Sequence, residues 1–160
     1  MARRHGCRVK RFLVMQISND IFFAEVERLL GEGGDVTITI RGNSMQPMLR
    51  DGREKVVLRR YEGDEVQRGD VMLFRYRGGY VLHRVVSIEG ERITFAGDGN
   101  YKLYEQATTK DIVARMVAYC KDGRRVECSG REWLRYSRLW MALPMLLRRV
   151  ILGVKRRIKI

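Results

Sequence analysis

Between Asp35 and Arg41 hydrophobic and polar residues alternate one for one (DVTITIR), the period of a strand with one buried face. Comparable runs follow at 55–60, 70–77, 80–89, 92–97 and 111–120, the last with a short partner at 124–128. RGGY at 77–80 and EGE at 89–91 predict tight turns between neighbours. The run DIVARMVAYC also has helical propensity, but its β-branched and aromatic content assigns it to a strand. Ahead of the strands the period lengthens. In residues 17–31, Ile21, Phe22, Ala24, Val26, Leu29 and Leu30 share a broad face, with Asp20, Glu25, Glu27 and Arg28 opposite. That pattern predicts a helix packed on the sheet, capped by Ser18 or Asn19 and stopped by Gly31, Gly33 and Gly34. The fold expected is mainly β: a coiled or barrel-like antiparallel sheet with one N-terminal helix.

Residues 131–160 break the strand pattern, being helical in propensity and both apolar and basic. Their longest uncharged run, nine residues at 139–147, contains Pro144, whereas a membrane span needs about 20 residues. The segment therefore predicts a basic amphipathic helical tail. Trp133, Trp140 and several leucines would enter an anionic membrane surface, the alternative being a helix packed on its own domain or on a second subunit. Charge supports a polyanionic partner. The formal net charge is +13, with five basic and no acidic residues in 1–12, and twelve basic and three acidic in 121–160. Nucleic acid is disfavoured, because residues 1–34 are too short for a helix-turn-helix and a linker. Three parts are expected: a basic N-terminal segment (1–16, with Met15 an alternative start), a central domain (17–129) and the tail (130–160). The apolar piece FLVM is too short for a secretory signal, so a peripheral membrane position on the cytoplasmic side is expected. Cys7, Cys120 and Cys128 have neither zinc nor redox spacing, and reduced thiols are expected.

Candidate chemistry centres on GNSMQPML (42–49), where Ser44 sits at a turn just after a strand. A serine hydroxyl needs a base to become a nucleophile. The chain has two histidines: His5 in the basic end, and His83 inside the strand YVLHRVV. Asp98 follows in the turn AGDGN (96–100), giving the order Ser, His, Asp. Neither a metal nor a cofactor is implied.

Four ordered boxes, GNSMQPML, RGDVMLFR (68–75), YVLHRVV (80–86) and AGDGN, with DIVA at 111–114, resemble the signal peptidase I family and the related self-cleaving repressor peptidases. The resemblance covers roughly residues 35–120. It implies a serine endopeptidase acting on an extended segment of a signal or leader peptide, with Ser44 as nucleophile. A lysine is the base in one branch of the family and a histidine in another, so this chain is similar to the histidine branch, with His83 as base and Asp98 as orienting acid. The second acid that this branch carries falls at Tyr104, with Glu105 beside it, which leaves two readings: Glu105 substitutes, or Asp98 acts alone. The Ser44 N–H and the Asn43 amide are the expected oxyanion donors, because Gly42 stands where many members have serine. Gly42, Met45 and Met48 are expected at a shallow substrate pocket. The basic tail would replace the family's membrane span. Two further readings of the same residues are a catalytically silent peptide-binding domain and a self-processing regulator.

Overall fold

The computed structural model describes residues 12–13, 19–100 and 102–158. Most of the expected basic segment 1–16, and the alternative start at Met15, lie outside the described residues. In chain order come β1 (Phe12–Leu13), α1 (Asn19–Gly31), β2 (Val36–Thr39), β3 (Lys55–Arg60), β4 (Val71–Tyr76), β5 (Gly79–Glu89), β6 (Arg92–Ala96), β7 (Glu105–Ala107), a 3-10 turn (Thr109–Asp111), β8 (Ile112–Lys121), β9 (Arg124–Glu127), α2 (Arg131–Ala142) and α3 (Met145–Ile158).

One sheet holds every strand, in the order β1-β2-β3-β8-β4-β5-β6-β7, with β9 also on β8. All pairings are antiparallel except β1 with β2. The ends of the path do not pair, so the sheet is open. Long β8 is its axis, carrying β3 along one edge and β4 then β9 along the other. The β4–β5 turn puts Arg77 and Gly78 at φ 49° and 77°, and the β8–β9 turn puts Asp122 and Gly123 at 49° and 76°. Two successive left-handed residues match the twist of the flanking strands, which is why these hairpins close in two residues.

The sheet is buried on both faces. In β4, Val71 and Leu73 join a core with α1 (Phe22, Val26, Leu30) and the loop after β2, while Met72 and Phe74 join another with Val85, Ile93 and Phe95. This explains why VMLF lacks polar alternation. The Phe74 and Phe95 rings stack at 4.0 Å.

The tail departs from expectation. Trp133 and Trp140 are each 4% exposed, buried against the domain and not free for a membrane. Their α2 face also carries Ser137 and meets a guanidinium from the sheet: Arg84 lies over the Trp133 ring at 4.8 Å. A buried cation attracts aromatic faces, and α2 supplies them. Among the described residues no helix is long and apolar enough to cross a membrane. Cys128 is a free thiol, whereas Cys120 is disulfide-bonded, so the reduced state expected for all three cysteines does not hold for Cys120.

Candidate active site

Ser44 lies in the loop between β2 and β3. The loop is pinched at its base, where the Ile40 N–H donates to Glu54 O (3.0 Å) and the Gly52 N–H to Ile40 O (2.8 Å). Buried Glu54 fills its interior, accepting from the Arg50 backbone N–H at 2.6 Å and from the Arg50 guanidinium at 2.8 and 2.6 Å. Gly42 opens the turn at φ 86°, a left-handed backbone that glycine takes without strain.

The turn after β6 presses on this loop from the other side. Its Gly99 N–H donates to Ser44 O at 2.7 Å. A Cβ on Gly97 would stand 2.4 Å from Ser44 O and 2.9 Å from His83 Nε2, and one on Gly99 would stand 2.3 Å from Asn43 O. The two glycines of AGDGN thus permit a contact that no side chain would allow, and they bring the serine loop and the histidine strand against one turn.

His83, on β5, is 6% exposed. Its Nδ1 lies 2.9 Å from Glu105 Oε2, at the first residue of β7. A carboxylate only accepts, so this contact holds the Nδ1–H tautomer and leaves the Nε2 lone pair on the Gly97 side. Asp98, expected at the imidazole, is engaged elsewhere. Both its oxygens accept from Arg84, Nε to Oδ1 and Nη2 to Oδ2, each at 2.7 Å. Consecutive strand residues face opposite sides, so His83 and Arg84 reach different acids. The Arg84 and Asp98 side chains are 1% and 2% exposed. Arg84 also donates to Gly69 O (2.9 Å) and Ser137 Oγ (2.7 Å). Burial opposes its charge, but Asp98 outweighs burial and holds the Arg84 pKa above its ordinary value. The Tyr136 hydroxyl, 3.4 Å from Asp98 Oδ2, is pushed well up by burial and by the Asp98 charge.

Ser44, Met45, His83 and Glu105 line one open cavity of about 330 Å³. Phe22 and Phe23 of α1 form its far wall with Tyr80, on which Phe23 stacks at 5.0 Å. Met48 is not on it: at 4% exposure it packs in the core beside Leu49. Gly42 and Asn43 are exposed and off the lining, and Asn43 Oδ1 accepts from Gln46 Nε2 at 2.7 Å. Among the described residues Ser44 and His83 share no direct hydrogen bond, and the Ser44 N–H donates to no protein group. Contacts of this kind often tighten only with substrate bound. Glu105 was visible in the sequence only as the neighbour of Tyr104; the aromatic wall from α1 had no sequence signal beyond core periodicity.

Residues 36–126 match the family model described as signal peptidase, peptidase S26. None of the curated proteins matches the chain. The matched span contains Ser44, His83, Asp98 and Glu105; α1, α2 and α3 lie outside it.

Proposed function

The chain belongs to the signal peptidase family, peptidase S26, and on that premise we propose that it is a serine endopeptidase of the histidine-base branch that cleaves signal or leader peptides. One observation carries this reading: His83 is tied through Nδ1 to Glu105 at 2.9 Å, while its Nε2 borders the turn that also touches Ser44. Ser44 Oγ attacks the scissile carbonyl. His83 Nε2 takes the serine proton and passes it to the leaving amine. Glu105, in place of Asp98, fixes the tautomer and stabilises the imidazolium. The Ser44 N–H receives the oxyanion, Asn43 standing off the cavity lining, and water then releases the acyl group. The substrate lies extended along the cavity, an apolar side chain entering between Met45 and the Phe22–Phe23 wall. Asp98 and Arg84 hold the site together from behind.

The test is acylation of the intact protein by a serine-reactive probe, read by mass spectrometry. One adduct on Ser44, lost in Ser44→Ala and His83→Ala, is the expected result. No adduct with either a lipopeptide or a small unselective reagent, under conditions where a signal peptidase reacts, overturns the enzymatic reading in favour of a silent peptide-binding domain.

A further inference from the structure

The outer face of the C-terminal helices is apolar and has no partner among the described residues. Leu139, Leu146 and Val150 are 69%, 74% and 60% exposed. On a helix each residue advances about 100°, so Leu146, Val150, Val154 and Leu147 fall within roughly one third of the circumference of α3. Arg149 follows at one side of the stripe, whereas Arg148 falls beside the inner face, where its guanidinium donates to Leu143 O at 3.0 Å and Met141 O at 2.8 Å. Leu152, on the opposite side, is 2% exposed, so α3 already spends its inner face on the protein. The outward stripe is surplus to folding, and exposed apolar surface of this kind marks an interaction site.

A second observation lies beside it. A cavity of about 230 Å³ opens between the 97–100 turn and the helices, lined among others by Arg68, Asn100, Met145 and Arg148. The Arg68 guanidinium has no acid partner among the described residues. Arg68 is thus an unpaired cation beside these helices, while the Arg148 guanidinium there is held by the carbonyls of Leu143 and Met141.

We propose that this face docks on an anionic lipid bilayer, with α3 lying in the interface plane, its stripe at the acyl boundary and Arg68 and Arg149 on lipid phosphates. Charge selects this occupant over a second copy of the chain. Residues 121–160 hold twelve basic and three acidic side chains, so a self-complementary contact through the same stripe would face like charges against like. An anionic surface neutralises them. The buried tryptophans of α2 take no part. The proposal uses neither Ser44 nor His83, so it stands or falls apart from the peptidase reading.

The experiment is co-sedimentation of the intact chain with vesicles of phosphatidylcholine alone and of phosphatidylcholine mixed with phosphatidylglycerol. Binding to the mixed vesicles, weakened by salt, is expected. The double variant Leu146→Glu/Val150→Glu should lower the partition coefficient by at least about tenfold, the loss of buried apolar groups adding to repulsion. Arg68→Ala and Arg149→Ala should each lower it about fivefold. Leu146→Trp should raise it, which keeps the proposal testable if a glutamate variant misfolds. Equal binding to both vesicles, no binding to either, or binding untouched by the glutamates overturns the proposal. So does a dimer, seen by light scattering, that the glutamates dissolve.

Discussion

Gly97→Ala adds one carbon at the tightest point of the site. Gly97 lies outside the left-handed region, so the change acts through contact and not through backbone strain. The new Cβ would stand 2.4 Å from Ser44 O and 2.9 Å from His83 Nε2. Ordinary contacts begin near ~3.5 Å, so about 1 Å of separation must be found. Neither neighbour is a free end. Ser44 O is held by the Gly99 N–H at 2.7 Å, and the imidazole by Glu105 at 2.9 Å. Overpacking of this size costs about 1–3 kcal/mol. A misplacement of ~1 Å between reacting groups costs roughly 10²-fold in rate. The expected result is therefore a folded protein, somewhat less stable to urea, whose Ser44 is acylated about a hundredfold more slowly. Gly153→Ala in α3 is the control: its Cβ meets nothing within 4 Å, and it should stabilise the helix by up to about 1 kcal/mol with no effect on rate. An acylation rate and urea midpoint for Gly97→Ala indistinguishable from wild type would refute the reasoning.

Glu105→Gln and Asp98→Asn separate the two acids. Glu105→Gln should cut kcat by roughly 10²–10⁴ with little change in melting temperature, since the amide can hold the ring in the wrong tautomer. Asp98→Asn breaks a buried pair and should cost about 3–5 kcal/mol, its kinetic effect following from loosening; loss of catalysis in a fully stable Asp98→Asn with Glu105→Gln active would reverse the assignment. Trp133→Ala should cost about 3–5 kcal/mol in urea unfolding, because the ring is both core and lid to Arg84; a near-neutral effect would show that α2 is not part of the folded unit. Burial pushes the Cys128 thiol from an ordinary 9.0 up to about 12. A folded pKa above the unfolded one contributes stability that is complete below pH 9.0 and lost as pH rises through about 12. Native protein should thus be alkylated at Cys128 by iodoacetamide far more slowly than unfolded protein at pH 9.0, and its urea midpoint should fall above that pH; equal alkylation rates would count against the burial.

Period together with β-branched and aromatic content located most of the sheet. The run at 55–60 coincides with β3, and the others differ from their strands by a residue or two at the ends. The signal is strong there because each strand buries apolar side chains, on alternate positions along much of β8 and on both faces in β4. Short β7 (Glu105–Ala107) escaped because three residues carry no period, and its job is to present Glu105 and not to fill a core. The tail misled for a different reason. An aromatic and basic helix has the same composition whether its tryptophans meet lipid or a buried cation. The deciding residue, Arg84, lies about 50 positions away in β5, so no window on the tail contains it. Met48 misled similarly, since a methionine in a polar loop suits a pocket wall as well as a core plug.

The choice between Asp98 and Glu105 turns on Arg84 too. Family order favours Asp98, the first acid after His83 in a matching turn, and a sequence offers no rule by which adjacent strand residues compete for it. In three dimensions the competition is one-sided. A guanidinium binds a carboxylate through two parallel hydrogen bonds, whereas an imidazole offers one. Arg84 is also buried, so leaving it without Asp98 would strand a charge in the core. The arginine therefore takes the acid on the turn, and the imidazole is served from β7. One acid fastens the Gly97–Gly99 turn against the serine loop and the other holds the imidazole tautomer, so the position of Ser44 and the orientation of His83 rest on separate residues and can be altered independently.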